Sequence, residues 1–162
     1  LTATTMTIAD YFNDHYFAHG HTYEAHPLTL APAIAAINEL KNKKLIERAV
    51  EMGDYMNKKL VVLKSKHNSI GDVRGIGLFH AVELVKNQKT KEPFNTKEDK
   101  VSGKPLLVDK IAAEMMKRGV FLQSWVSHFI IAPPLIITKE DIDMALENFD
   151  ECLTIADEAL NT

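Results

Sequence analysis

The spacing of the apolar residues changes near residue 70, and this change limits the folds that the chain can adopt. Over residues 45–66 the apolar side chains recur at steps of three and four, which predicts one long amphipathic helix. Over residues 78–84 they alternate with a period of two, which predicts a strand with one mixed face. The later pattern predicts the order β-β-loop-α-β-β-α, as in a small α+β domain whose antiparallel sheet is covered by helices on one face.

Residues that end or cap helices set the expected bounds of the later elements. Gly119 stands where a helix would end, and Thr138 with Asp141 has the spacing of a helix-capping pair. The expected elements are a long surface loop at 86–104, a helix at 106–118, short strands at 120–122 and 129–131 joined through 124–128, and a last helix after Thr138.

The N-terminal residues follow a different pattern. Residues 1–7 are rich in β-branched threonine and predict a short strand, and a helical turn is expected within 8–17. Residues 28–41 predict a helix that is apolar on nearly all sides, so we expect its burial against more protein than this chain supplies. The chain starts abruptly at Leu1 without a methionine, and we expect it to be part of something longer.

Composition and charge restrict the class of protein. The chain has 162 residues, of which 46% are hydrophobic, and a net charge of −3, which argues against a nucleic-acid surface. No apolar run is long enough to span a membrane. The single cysteine, Cys152, allows no disulfide within one chain, and we expect a buried, inert thiol in a cytoplasmic, reducing setting. No metal site is expected.

A polar segment, HGHTYEAHP at residues 19–27, precedes the alanine-rich helix. It holds three imidazoles, a hydroxyl, a phenol and a carboxylate. The N-terminus of a helix offers free N–H groups and the positive end of the helix dipole, so this segment suits an anion such as phosphate. An ordinary polar loop before a helix is the alternative interpretation.

Four motifs, taken in this order, carry a resemblance to a known family. They are HGHTYEAHP at 19–27, GDVRGIGL at 71–78, VELVK at 82–86 and APPLII at 132–137. The chain resembles the C-terminal part of class III aminotransferases, which are pyridoxal-phosphate enzymes of fold type I. It is most similar to omega-amino-acid enzymes, including 4-aminobutyrate-type transaminases.

The resemblance implies a division of the chain and a role in a larger enzyme. Residues 1–44 would end the large cofactor-binding domain, 45–69 would form the interdomain helix, and 70–162 would form the small α+β domain. The intact homodimer would use pyridoxal 5′-phosphate to move an amino group from an omega-amino acid or amine to a 2-oxo acid, pyruvate or 2-oxoglutarate. The Schiff-base lysine would lie upstream, so we expect no catalytic residue here and no activity from the chain alone.

The resemblance also assigns cofactor-binding residues. Thr22 matches a threonine that reaches across the dimer and hydrogen-bonds the cofactor phosphate of the partner subunit. His21 is expected to supply a backbone contact and to border the substrate pocket. Tyr23 is either a wall of the site or a packing residue. His26 matches a structural element, and no proton transfer is assigned to it.

Other positions depart from the family pattern or match its structural residues. Arg74 is expected to be structural, with Asp72 as its local partner. Glu24-Ala25 replaces the usual Ser-Gly, which alters the polar lining and removes conformational freedom. Gln123 and Ile130 each stand where many members carry an arginine, so a bidentate carboxylate clamp is missing. Gln123 and Trp125 are expected to shape a pocket for an elongated or less charged substrate, and Trp125 is equally interpreted as a loop anchor.

Two further interpretations stay open at this point. The chain could be a non-catalytic interaction module that dimerises or docks through the helix at 28–41. It could also belong to an epimerase or aminomutase of the same class, which would keep the cofactor and change the reaction.

Overall fold

The structure, a computed structural model, describes residues 4–161. The chain forms two compact units, residues 1–45 and residues 46–162, and each is described by itself. None of the helices within residues 4–161 has the length and apolar character needed to cross a membrane. The assignment of 1–44, 45–69 and 70–162 to the parts of a larger enzyme stays a prediction.

The first unit consists of two helices joined by the polar segment. Helix α1 spans Met6–Asp14 and helix α2 spans Pro27–Asn42. The strand predicted over 1–7 is wrong from Met6 onward, and residues 1–3 lie outside the described part of the chain. The Thr5 carbonyl accepts the N–H groups of Ile8 at 3.2 Å and Ala9 at 3.0 Å, so local helical bonds override the strand preference of the threonines.

Helix α2 confirms the helix predicted over 28–41 to within one residue at each end. Pro27 occupies its first turn, where the missing N–H costs nothing. Neither α1 nor α2 buries a side chain within the described part of the chain, and Leu28 and Ile34 are 79% and 61% exposed. The first unit therefore leaves a large apolar surface in contact with solvent.

Helix α3 spans Leu45–Lys66 and confirms the long amphipathic helix. Its apolar side contributes Met52, Met56, Leu60 and Leu63 to the core of the second unit. A Cβ at Gly53 would lie 2.1 Å from the Gly77 carbonyl oxygen, so this helix meets the turn after the first strand at backbone distance. No larger residue fits at that position without displacing the turn.

Five strands form an antiparallel sheet. Strands β1 (Ile70–Ile76), β2 (Phe79–Asn87), β4 (Gln123–Trp125) and β5 (His128–Ile131) lie in the order β1-β2-β5-β4, and β3 (Glu92–Pro93) pairs with β2. The strand predicted over 120–122 is wrong, because β4 begins at Gln123. Gly119, at φ +81°, ends the preceding helix, and the Val120 N–H still bonds the Met115 carbonyl at 3.0 Å, which delays the strand.

The segment at 86–104 is more ordered than the predicted loop. It contains strand β3 and a short helix α4, Lys97–Val101. Thr96 and Asp99 form a capping box at the start of α4, which supplies partners for its free N–H groups. The prediction of a plain loop overlooked this capping pair.

Helices α5 (Leu107–Lys117) and α6 (Lys139–Glu158) complete the fold. Thr138 and Asp141 make the predicted reciprocal bonds, from Asp141 N–H to Thr138 Oγ1 at 3.1 Å and from Thr138 N–H to Asp141 Oδ2 at 3.3 Å. Cys152 is buried in α6, as expected, and burial raises the pKa of its thiol, which disfavours the reactive thiolate.

The strand register separates a covered face of the sheet from the opposite face. Val73, Val82 and Phe129 align in one row, and Val82 and Phe129 are fully buried. The Phe129 ring meets Phe149 of α6 edge-on at 5.2 Å between centroids. Because successive side chains of a strand point to opposite faces, the neighbouring row of Arg74, Ala81, Ile130 and Gln123 lies on the other face. The predicted antiparallel sheet covered by helices is confirmed.

A buried histidine fastens α6 to the junction between α3 and β1. His67 Nδ1 lies 2.6 Å from Asp157 Oδ2, and His67 Nε2 lies 2.6 Å from Asp150 Oδ1. Asp157 Oδ1 also accepts the Ser69 hydroxyl at 2.6 Å. Each ring nitrogen thus faces a carboxylate oxygen, so the ring is held between the two aspartates of α6. We name His67, Ser69, Asp150 and Asp157 the His67 clasp.

We expect Asp157→Asn to reduce the free energy of unfolding at pH 7 by about 1–2 kcal/mol, because it weakens charge-assisted bonds that are partly exposed to water. Burial raises the pKa of Asp157, but hydrogen bonds from Ser69 and His67 outweigh it and hold that pKa below its ordinary value. The stabilisation is therefore complete above the unfolded-state pKa of about 4 and is lost as the pH falls through the folded-state pKa.

Chemical denaturation at several pH values tests this expectation. Asp54→Asn, at an exposed position of α3, is the matched control and should leave the free energy of unfolding unchanged. A difference between wild type and Asp157→Asn that persists undiminished at pH 2 would contradict the charge-based explanation.

His80 is a second buried histidine, and its Nδ1 has no hydrogen-bond partner among residues 4–161. Its side chain is 2% exposed, and Nδ1 makes no hydrogen bond within the described part of the chain. The ring lies against Gly75, where a Cβ would come within 2.5 Å of Cδ2. Burial lowers the pKa of His80, because the charged ring would lose its hydration.

We expect acidification below about pH 6.5 to reduce the free energy of unfolding through His80, since the unfolded chain gains a proton that the native chain resists. His80→Leu should remove this part of the pH dependence and leave stability at pH 7 unchanged or about 1 kcal/mol higher, because it removes an unpaired buried nitrogen. His128→Gln, on the adjacent strand, serves as the control. Equal slopes between pH 7 and pH 5 for wild type and His80→Leu would contradict this assignment.

Candidate functional site

The polar segment folds into a turn that leads directly into α2. The Glu24 N–H bonds the His21 carbonyl at 3.0 Å, and the His26 N–H bonds the Tyr23 carbonyl at 3.3 Å. Ala25 adopts a φ of +54°, a left-handed conformation that favours glycine. The replacement of the usual Gly by Ala25 therefore occurs at the position where glycine would be the least strained residue.

His26 holds the start of the helix. Its Nδ1 accepts the Leu28 N–H at 3.2 Å, and its carbonyl accepts the Thr29 hydroxyl at 2.8 Å. A side-chain acceptor at this position satisfies one of the unpaired N–H groups of the first turn. The structural role expected for His26 is confirmed.

Thr22 presents unpaired donors to solvent. Its side chain is exposed, and its hydroxyl makes no hydrogen bond within the described residues. The N–H groups of Thr22 and Tyr23 are also unpaired in the described part of the chain. A hydroxyl and two amide donors on one turn, close to the positive end of α2, form a set that suits a phosphate group.

His21 is less available than expected. Its N–H donates to Glu24 Oε2 at 3.3 Å, so the backbone donor assigned to the cofactor already has an anionic partner. The imidazole contacts His19 edge-on at 4.8 Å between centroids. Glu24, which stands where a serine is usual, would therefore compete with an anion for this amide.

Tyr23 projects from the same turn. Its side chain is 68% exposed, and its ring meets the His26 ring edge-on at 6.1 Å between centroids. The phenol oxygen makes no hydrogen bond within residues 4–161. Whether Tyr23 forms a wall of the site or packs against other protein stays a prediction.

In the second unit, an apolar cleft of about 630 Å³ opens beside the first residue of β4. Gln123 lines this cleft, and so does Ile130, its cross-strand partner on β5. The prolines of the predicted APPLII motif, Pro133 and Pro134, line it as well. The structure thus makes the two positions that lack the family arginines cross-strand partners, in the row on the sheet face away from the helices and at the border of the cleft.

Trp125 lies two residues further along β4 and does not line the cleft. Its indole is 49% exposed, and Lys100 Nζ of α4 stands 4.1 Å from the ring centroid. Such a cation–π contact fixes α4 against the sheet. This contact is what the loop-anchor interpretation expects, although the role of Trp125 toward a substrate stays a prediction.

Arg74 has the structural environment that was expected. Its Nη1 contacts Asp72 Oδ2 at 2.9 Å and Glu83 Oε2 at 2.8 Å, so Asp72 is confirmed as its partner. Hydrogen bonds to Glu83 and Asp72 raise the pKa of Arg74, and the Arg74 hydrogen bond lowers the pKa of Asp72. Two carboxylates already pair with the Arg74 guanidinium. Because one lies on β1 and the other on β2, Arg74 bridges these two strands.

Arg48 is a positioning residue that the sequence did not indicate. From the first turn of α3 it donates to the Ile136 carbonyl at 3.3 Å and to the Ile137 carbonyl at 2.5 Å. These bonds hold the segment that follows the two prolines beside the cleft. No local sequence pattern indicates this contact, because its partners are backbone atoms about ninety residues away.

No group of three or more His, Cys, Asp or Glu side chains that could hold a metal ion is found among the residues the structure describes. The phosphate-type donors lie in the first unit and the apolar cleft lies in the second unit.

Comparison with known proteins identifies the family. The family described as Aminotransferase class-III matches residues 2–153. An uncharacterised aminotransferase of Schizosaccharomyces pombe is 38% identical, over 82% of this chain and 29% of that protein. A putrescine–pyruvate aminotransferase of Pseudomonas aeruginosa is 34% identical, over 85% of this chain and 28% of its own length.

A solved structure agrees with these relatives. The taurine:2-oxoglutarate aminotransferase of Bifidobacterium kashiwanohense, in complex with PLP and glutamate, matches 94% of this chain and 33% of its own chain with a TM-score of 0.80 and 34% identity. The fold is thus the fold type I architecture that was expected, and the cofactor supported for the family is pyridoxal 5′-phosphate. The chain spans about a third of the length of the relatives it matches, and it belongs to the class III aminotransferase family.

Proposed function

We propose that this chain forms the C-terminal third of a dimeric, pyridoxal-phosphate-dependent aminotransferase. The enzyme would move an amino group from an amine or omega-amino acid to a 2-oxo acid, either pyruvate or 2-oxoglutarate. Family membership and the length of the relatives support the proposal. The observation that carries it is the set of unpaired donors at Thr22, which has the chemistry of a phosphate site.

The exposed apolar surface of the first unit supports an assembly larger than this chain. Large exposed apolar patches on a protein commonly mark surfaces that contact other protein. The remaining two thirds of the enzyme and the partner subunit would cover these side chains. The set consists of the large apolar and aromatic residues between positions 6 and 37 that are at least 37% exposed: Met6, Ile8, Tyr11, Phe12, Tyr16, Phe17, Tyr23, Leu28, Leu30, Ile34 and Ile37.

The proposal gives each residue of the chain a limited task. Thr22 would donate its hydroxyl and N–H to the cofactor phosphate of the partner subunit, with the α2 dipole adding attraction for the anion. When bound, pyridoxal phosphate supplies an electron sink for the bond changes at the amino-bearing carbon. No lysine of this chain has a role in those changes, so the chain alone would be inactive.

A chimera tests the role of Thr22. This chain would replace the corresponding third of the taurine:2-oxoglutarate aminotransferase, which has the same fold. Thr22→Val should raise the dissociation constant for pyridoxal phosphate about tenfold, because a charge-assisted hydrogen bond is lost. Thr22→Ser, which keeps the hydroxyl, should bind the cofactor as tightly as the unmodified chimera. Cofactor absorbance after equilibrium dialysis measures both constants.

Thr154→Val, at an exposed position of α6, controls for the loss of a threonine hydroxyl. Unchanged cofactor affinity in Thr22→Val would remove Thr22 from the phosphate site. A folded, cofactor-loaded chimera that shows no amino transfer from any amine or amino acid would contradict the proposed reaction.

The same experiment separates the enzyme from a non-catalytic module. The exposed apolar side of α2 would also suit a module that docks onto another protein. Such a module would not restore amino transfer when it replaces the last third of an aminotransferase. Activity of the chimera therefore favours the enzyme, and a stable but inactive chimera favours the module.

A further inference from the structure

The imidazole of His80 packs across the backbone of β1 near the end of the β1–β2 hairpin. His80 pairs with Gly75 in the strand register. A Cβ added to Gly75 would lie 2.5 Å from His80 Cδ2 and 2.6 Å from His80 Cγ. No side chain fits at residue 75 while the ring stays in this place, so the glycine supplies the space that the ring occupies.

The same end of the hairpin is seated on helix α3. A Cβ at Gly53 would lie 2.1 Å from the Gly77 carbonyl oxygen, and a Cβ at Gly77 would lie 3.5 Å from the Ala49 carbonyl oxygen. Leu78, the second residue of the turn, is buried in the core. Because His80 follows Leu78 by two residues and is itself buried, the ring and the turn pack in one layer, and loss of the ring from this layer would loosen the turn.

The surroundings of His80 offer nothing that would stabilise a proton on the ring. Its register partners are Gly75 and Ile131, and the next row of the covered face is apolar. Burial alone lowers the pKa of His80. Charged and titratable side chains of the neighbouring elements lie on the opposite sheet face, are exposed, or have other partners: Asp72, Arg74, Glu83 and His128 on the sheet, Arg48, Glu51 and Asp54 on α3, and Lys139, Glu140 and Asp141 at the start of α6.

We propose that His80 is a pH-operated latch that holds the β1–β2 turn on α3. With a neutral ring the latch is closed, because the imidazole fills the space over Gly75 and the turn packs on Gly53. A proton on the ring favours an open form, in which the imidazole moves into water and the turn separates from α3 while α5 and α6 stay folded. This regulatory device is independent of the proposed amino transfer.

The direction of the pH dependence follows from proton uptake by the open form. A histidine in water has a pKa of about 6.5, whereas burial keeps the pKa of the closed form lower. The open form therefore binds more protons below about pH 6.5, and opening becomes more favourable as the pH falls. Between pH 7.5 and pH 5.5 the opening equilibrium constant should rise about five- to tenfold.

Amide hydrogen exchange resolved by NMR measures this opening. After correction for the intrinsic effect of pH on exchange, the amides of residues 74–76 and 79–81 should exchange about five- to tenfold faster at pH 5.5 than at pH 7.5. Their exchange should be nearly insensitive to about 1 M urea, because a local opening exposes little surface. The slowest amides of α6 should respond steeply to urea, because they exchange only through global unfolding.

Three variants assign the effect to the ring. His80→Leu keeps an apolar group in the core and should remove the pH dependence of the hairpin amides. His128→Gln, on the opposite face of the sheet, is the matched control and should keep it. Gly75→Ala places a Cβ where the ring lies, so its hairpin amides should exchange at pH 7.5 at least as fast as those of wild type at pH 5.5.

An equal pH response of the hairpin amides in wild type and in His80→Leu would overturn the proposal. Hairpin amides that respond to urea as steeply as the slowest amides of α6 would do the same, because they would report global unfolding alone. Circular dichroism checks that each variant is folded, and His80→Leu decides the test if Gly75→Ala does not fold. The measurement uses the chain without cofactor and follows no reaction, so its failure would leave the proposed function untouched.

Discussion

Burial of one face of a small antiparallel sheet is the constraint on which the second unit depends. The row of Val73, Val82 and Phe129 faces the helices, and α3, α5 and α6 place their apolar sides on it. Each of the large side chains in this layer contributes about 1.5–3 kcal/mol by leaving water. The opposite face keeps the charged residues, so Arg74 can be neutralised by two carboxylates without disturbing the core.

This layer also positions the functional features of the second unit. The cleft exists because β4 and β5 end next to α5 and α6, and Arg48 holds the segment after the prolines at its rim. The His67 clasp fixes α6 from its other end through two buried contacts. In the first unit no comparable layer is present among the described residues, and its helices keep their apolar sides exposed. The two units therefore differ in how much of their folding they can complete within this chain.

The spacing of apolar residues was sufficient to predict a helix that buries one side, as the bounds of α3 show. The capping pair Thr138 and Asp141 was sufficient to predict the start of α6, because both residues lie within one turn. The side-chain pattern failed at Met6 and Thr7 and at the start of β4, where short segments follow local backbone bonds instead. The His67 clasp joins residues about ninety positions apart, and no local pattern indicates it.

In the candidate sites, too, the sequence indicated the local features and missed those that depend on the folded geometry. The loop at Thr22 was predicted from residue types and resemblance, but the bond from the His21 N–H to Glu24 depends on a turn whose geometry the sequence does not specify. Gln123 and Ile130 were each noted as missing arginines, yet their pairing across β4 and β5 requires the strand register. Register depends on the packing of the whole sheet, and for that reason it could not be obtained from the six residues between them.

The central claim is that this chain supplies a scaffold and a phosphate-binding hydroxyl, while the covalent chemistry belongs to polypeptide outside it. The most direct measurement treats the chain with one equivalent of pyridoxal phosphate, reduces it with borohydride and maps the modified lysines by peptide mass spectrometry. The account predicts only scattered labelling, far below one equivalent at any position, because no lysine of the chain lies in a site built to activate it. Near-complete modification of one particular lysine, displaced by a competing amine, would contradict it.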